Sequence, residues 1–139
     1  MKKTDLNLHR RDPSHTKDWV YRRGDIYLAY LNPFTGSEQG GTRPVLVLQN
    51  NDGNIYCPTL IIAPITTKLK KQNLPTHCCF ETVRGLPEPS MVSLEQIKTI
   101  DKSRIKQYIG KLTKEQMAAV EDACMTSLGM VISECVEAP

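Results

Sequence analysis

Few side chains in this sequence stand where they could do chemistry, and those few sit beside stretches that read as strands. Arg43 lies between the Gly-rich segment Gly36-Ser-Glu-Gln-Gly-Gly41 and the apolar run Val45-Leu-Val-Leu48, directly before Pro44. A proline holds the residue before it extended, and an arginine so anchored presents a fixed guanidinium fork to a phosphate. The same spacing allows a loop-capping ion pair with Asp25 or Glu38 instead. Thr66 follows the run Leu60–Ile65, where its hydroxyl either donates to a phosphate oxygen or simply ends a strand. Glu95 and Gln96 follow Met91–Leu94 and either read base edges or form a solvated strand end. Lys68, Lys70 and Lys71 make a basic patch or a solvated loop. His9 and His15 fall in a polar leading segment that lacks the positioning an acid–base pair needs, and His77 opens a short strand.

Familiar catalytic signatures are missing: there is no GxSxG elbow, no Walker loop, no GxGxxG after a strand and no HExxH. Gly40-Gly41 leads into a strand, so the helix-terminus phosphate cradle is missing too. The five cysteines form no CxxC and no Cys/His cluster at zinc spacing, which points to reduced thiols in a cytosol, with neither metal nor structural disulfide. The residues alone reach a small β-rich domain that touches phosphate.

The elements that must position these groups are short. Asp25–Leu31 alternates and is rich in aromatics, so it reads as a strand that Asn32-Pro33 stops. The Gly36–Gly41 stretch reads as a mobile loop. Val45–Leu48 reads as a strand buried on both faces, with a tight turn in Gln49–Asn54. Thr59–Ala63 is a third strand closed by Pro64, and Thr67–Asn73 a basic loop. His77–Phe80, Met91–Leu94 and Gln107–Leu112 supply further strands, with turns at Arg84–Pro89 and Asp101–Arg104. The period then changes. Thr113-x-x-Gln116 is a capping-box pattern, and Met117, Val120, Cys124, Leu128 and Val131 recur at helical spacing, so a helix should end near Gly129 or a turn beyond and leave a frayed acidic end. The expected architecture is a small, curved, mainly antiparallel sheet or partial barrel with one C-terminal helix.

Composition sets the outer limits. The 139 residues are 40% apolar and 24% charged, which suits one domain with a real core. The longest apolar runs fall far short of the ~20 residues of a membrane span. The leading segment holds no apolar h-region, so no secretory signal is expected. Residues 1–23 carry seven basic and three acidic side chains, net +4, while residues 24–139 carry 11 and 12, net −1. A basic tail on a near-neutral body attracts nucleic acid weakly, or is a solvated tail.

Several segments together resemble the MazF/PemK family of bacterial toxins. They are Arg23-Gly-Asp-Ile-Tyr27, Gly36-Ser-Glu-Gln-Gly-Gly-Thr-Arg-Pro-Val-Leu-Val-Leu-Gln-Asn50, Pro58-Thr59, Ile65-Thr66, Leu74-Pro-Thr-His77 and Leu94-Glu-Gln-Ile-Lys-Thr-Ile-Asp101. The likeness runs in order from about Val20 to Met130; an N-terminal segment of about 20 residues and a tightened turn at Arg84–Pro89 depart from it. It implies a twisted antiparallel partial barrel of SH3-like (MazF/CcdB-like) form with a C-terminal helix. On that basis the chain divides into a basic extension (1–19), a ribonuclease domain (20–132) and a tail (133–139). The implied activity is a cytoplasmic, cofactor-free and metal-independent endoribonuclease toxin. It would cut single-stranded RNA sequence-specifically and leave 2′,3′-cyclic phosphate and 5′-hydroxyl ends. It would act as a homodimer, away from any membrane, and a MazE-like antitoxin laid along its RNA groove would neutralise it.

The resemblance makes Arg43 and Thr66 the catalytic pair. Phe34, Ser37, Glu38, Gln39, Leu74, Pro75, His77, Glu95 and Gln96 become the substrate-binding set, with His77 also a candidate proton shuttle. The alternative is a non-enzymatic, CcdB-like toxin that binds and poisons DNA gyrase through its C-terminal helix and last residues.

Overall fold

The apolar runs of the first half become strands with both faces covered. β1 (Asp25–Tyr30), β2 (Thr42–Val47) and β3 (Thr59–Thr66) lie side by side and antiparallel in a computed structural model that describes residues 18–131. Successive strand residues point to opposite faces. Ile26, Leu46 and Ala63 therefore enter one core and Tyr27, Val45, Val47 and Ile62 another. Both sets are fully buried, which explains why these strands read as unbroken apolar runs. Residues 1–17 of the basic extension expected over 1–19, and the whole tail expected over 133–139, lie outside the described residues.

Four more strands complete the sheet: β4 (His77–Phe80), β5 (Ser90–Ser93), β6 (Lys98–Asp101) and β7 (Ile105–Lys111). The order is β4-β5-β3-β2-β1-β7, all pairs antiparallel, with β6 also on β3. β3 changes partner along its length: Thr59–Ile62 face β6, and Ile65 and Thr66 face β5. The C-terminal helix α2 (Lys114–Ser127) covers one face through Met117, Val120 and Ala123. Its capping box is complete: Thr113 Oγ1 accepts from Gln116 N, and Gln116 Oε1 accepts from Thr113 N. The fold is the expected antiparallel sheet with a C-terminal helix. Beside the second core, Trp19 and Tyr21 pack on Tyr27, and Trp19 Nε1 donates to Tyr27 Oη, which donates to Asp25.

Local expectations fail in four places. The turn expected over Gln49–Asn54 is a short helix, α1 (Asn51–Tyr56), capped by Asn50 Oδ1, which accepts from Gly53 N. Asparagine caps helices as readily as it makes turns, so the composition could not separate them. β3 does not stop at Pro64 but runs to Thr66. Pro64 falls between the β6 and β5 pairings, where the missing N–H removes no ladder bond. β6 has no counterpart among the expected strands. On α2, Leu128 is exposed and Val131 lies beyond the helix end, because the chain turns out through Gly129 at φ +74°.

Candidate active site

Arg43 and Thr66 meet because of strand register. β2 and β3 pair as far as Val45 opposite Pro64. Two residues further along each strand stand Arg43 and Thr66, across from one another where the ladder opens. Both line a cavity of about 430 Å³ together with Gln39, Lys68 and Lys70 on its polar side and Ile65, Leu86, Pro87 and Met91 on its apolar side.

Each of the two side chains is held from behind and left open in front. Arg43 Nε donates to Gly40 O at 2.9 Å. Among the described residues it pairs with neither Asp25 nor Glu38, so the capping ion pair is not the arrangement adopted. Its two terminal nitrogens keep the fork geometry for an anion. Partial burial lowers the guanidinium from its ordinary value. Thr66 Oγ1 accepts from Lys68 N at 3.1 Å, which leaves the hydroxyl proton to donate. The cavity thus offers an arginine fork, a threonine O–H and the charges of Lys68 and Lys70, with no carboxylate among the described residues that line it. That is an arrangement for phosphate.

The Gly-rich loop, expected to be mobile, is hydrogen-bonded at its base, turn and tip. At the base Gly41 N donates to Asn32 Oδ1, and Arg104 Nη1 donates to Tyr30 O and Asn32 O. At the turn Thr35 N donates to Glu38 Oε1. At the tip Gln96 Oε1 accepts from Gln39 N at 2.7 Å, while Gln96 Nε2 donates to Ser37 O at 3.2 Å. Both ends of the Gln96 amide are therefore committed to the loop that carries Gly40.

A second cavity, of about 440 Å³, lies beside the first and shares Gln39 with it. It is lined by Ser37, Glu38, Gln39, Glu95, Gln96, Ile97 and Lys98, bringing together five of the expected substrate-binding residues. His77 borders this cavity through Glu95, whose Oε2 lies 2.6 Å from His77 Nε2, while Nδ1 lies 2.8 Å from Lys71 O. Neither ring nitrogen is free to take a proton from a substrate in this arrangement. Phe34 packs its ring on Gly40, where a Cβ would meet it at 1.9 Å, and is half exposed. Leu74 is exposed on the loop before β4, and neither it nor Pro75 lines either cavity. Sequence reasoning passed over Ser90, Met91, Leu86 and Pro87. The last two belong to a turn that carried no signal except its prolines. Among the described residues, no group of three or more His, Cys, Asp and Glu side chains could hold a metal ion, and no helix is long and apolar enough to cross a membrane.

Comparison with known proteins gives one family and a consistent set of structures. Residues 22–128 match the family model described as the PemK-like, MazF-like toxin of type II toxin–antitoxin systems. The Mycobacterium tuberculosis toxin MazF-mt6 is 28% identical; the match covers 76% of this chain and 96% of that one, with a TM-score of 0.64. MazF from Deinococcus radiodurans is 25% identical over 81% of this chain and all of its own, with a TM-score of 0.71. A MazE–MazF structure from the same organism matches at 26% identity, 82% and 100% coverage, and a TM-score of 0.65.

Proposed function

The chain belongs to the PemK-like, MazF-like toxin family of type II toxin–antitoxin systems, and from that premise we propose that it is an endoribonuclease that cuts single-stranded RNA at the Arg43–Thr66 cavity. The observation that carries the reading is the pairing of a guanidinium fork and a threonine O–H open to donate in one cavity that no carboxylate of the described residues lines. RNA brings its own nucleophile, the 2′-hydroxyl next to the scissile phosphate. The protein has to align that oxygen with the leaving 5′-oxygen and stabilise charge on the phosphorane.

Arg43 is suited to the charge. It stays a cation at neutral pH, and its position is set before substrate arrives by Gly40 O. A guanidinium is a poor base, so its part in proton transfer is donation to the leaving 5′-oxygen, and its lowered pKa favours that direction. Thr66 donates to a non-bridging oxygen. The 2′-hydroxyl gives its proton to solvent water as its oxygen forms the new P–O bond and the P–O5′ bond breaks; O5′ takes a proton from Arg43, which regains one from water, leaving a 2′,3′-cyclic phosphate and a 5′-hydroxyl. This scheme asks for no metal and no cofactor.

Sequence preference belongs to the second cavity, whose polar groups face splayed bases, while Phe34 on the Gly-rich loop and Pro75 before β4, both outside its lining, offer apolar faces beside it. The active form is a homodimer. Support comes from apolar side chains exposed around the end of α2, Met125, Leu128, Met130 and Val131. A cognate, MazE-like antitoxin covers the same groove as an extended segment; the Deinococcus radiodurans MazE–MazF structure supports such a pairing here.

The test is purified protein with 5′-labelled RNA in EDTA. Fragments produced by the wild type and missing from Arg43→Ala support the reading. Intact RNA together with gyrase inhibition would move the chain to the gyrase-poison alternative.

A further inference from the structure

The turn that gives Leu86 and Pro87 to the Arg43–Thr66 cavity also gives Arg84 to another cavity, of about 460 Å³. Arg22, Lys111 and Lys114 line that cavity as well, and with Arg84 they are exposed. None of the four is in an ion pair among the described residues. Arg23 lines it too but is already engaged, with Nη1 on Glu121 at 3.0 Å and Nε on Leu48 O at 3.1 Å. Among the described residues the lining holds one carboxylate, Asp25, which is only 3% exposed and accepts from Arg22 N and Tyr27 Oη. The amino end of α2 lies at the same place and adds the positive end of a helix dipole. What faces solvent is therefore a concave surface of one sign.

The turn between the cavities is fixed. Gly85 has φ +99°, and a Cβ there would sit 2.2 Å from Ile109 O; a Cβ on Gly110 would sit 1.8 Å from Arg84 O. Backbone is packed directly on backbone, so Arg84 holds a set position relative to Leu86 and Pro87. Three residues of chain span at most about 10 Å, so the two cavities border one narrow ridge.

We propose that this basic cavity is a second binding surface for the RNA substrate, holding phosphates of the strand that flanks the cut after it crosses the 84–87 ridge. The inference rests on the ribonuclease reading. A strand longer than the cut site must leave the Arg43–Thr66 cavity over its rim. On this side the rim leads to four cations that form no ion pair among the described residues. Each phosphate they neutralise adds affinity that falls with salt, and none of them touches the reacting phosphate.

The test compares the shortest oligonucleotide that the wild type cleaves with the same oligonucleotide carrying uncut flanks. In the triple variant Arg84→Gln, Lys111→Gln, Lys114→Gln, kcat on both and KM on the short one stay at wild-type values. KM on the flanked one rises on the order of tenfold at low salt, and the slope of log KM against log salt falls by about 2. Each single substitution lowers that slope by about 0.7, whereas Lys106→Gln, outside the cavity, leaves it unchanged. Three results overturn the inference: unchanged KM and slope on flanked RNA, equal losses on both substrates, or a loss confined to antitoxin binding. Failure of the ribonuclease reading is distinct, because the wild type would then cleave neither substrate.

Discussion

Replacing Gln96 by Ala separates a residue that holds the active-site loop from one that reads the substrate. Its amide joins the turn after β5 to the tip of the Gly-rich loop through two hydrogen bonds, at 2.7 Å and 3.2 Å. Neutral hydrogen bonds of this kind contribute about 0.5–1.5 kcal/mol each, so losing both releases about 1–3 kcal/mol of restraint. That restraint reaches the chemistry by a short path: Gln96 fixes Gln39, the next residue is Gly40, and Gly40 O orients Arg43. If all of it bore on the transition state, turnover would fall by about fivefold to 160-fold, since each 1.36 kcal/mol is a factor of ten. The base of the loop stays tied by Asn32 and Arg104, so only part of it does, and the expected loss is about tenfold. Single-turnover cleavage of several RNA sequences at saturating protein provides the assay. The rate should drop by a similar factor on every sequence, with the preference among them kept. A wild-type rate with an altered preference would mean that Gln96 reads a base, and the path from Gln96 to Arg43 would be wrong.

Other expectations follow from the same geometry. Arg43→Ala should lower turnover on the order of 10²-fold or more, Thr66→Ala about tenfold to a hundredfold, and Arg43→Lys should recover only part, because an ammonium lacks the fork. All three should keep the wild-type circular dichroism spectrum and bind the antitoxin. Gly85→Ala should destabilise the fold by roughly 3 kcal/mol, read as a lower urea midpoint, since its Cβ would press on Ile109 O from a φ of +99°. Burial pushes the Cys78 thiol up to about 11, with Cys79 and Asp122 adding to the rise. At pH 8 Cys78 should therefore resist alkylation that marks exposed Cys57, as peptide mass spectrometry would show.

Much of the fold was legible because both faces of the central strands are buried. Val45–Leu48 needed no tertiary information to read as an interior strand, and Thr113 with Gln116 marked the start of α2. What escaped depended on partners. β6 is a strand because Thr59–Ile62 leave an edge for it, and β3 continues past Pro64 because no ladder bond falls there. In the site, Arg43 and Thr66 were visible as single residues, but their meeting is a product of register that neither neighbourhood encodes. Gln96 was legible as polar and beside a strand. Its bonds to a loop 57 and 59 residues away were not. The basic cavity was hidden for the same reason, since Arg22, Arg84 and the pair Lys111 and Lys114 come from three separate stretches of chain.

The central claim is that the substrate's own 2′-hydroxyl attacks while Arg43 and Thr66 stabilise the phosphorane. Once a cut site is mapped, it is tested most directly with two oligonucleotides that differ only in a 2′-deoxy sugar on the 5′ side of that cut. The all-ribose strand should be cleaved in EDTA to a 2′,3′-cyclic phosphate and a 5′-hydroxyl, and the deoxy strand should bind but remain intact. Cleavage of the deoxy strand at a comparable rate would contradict the account.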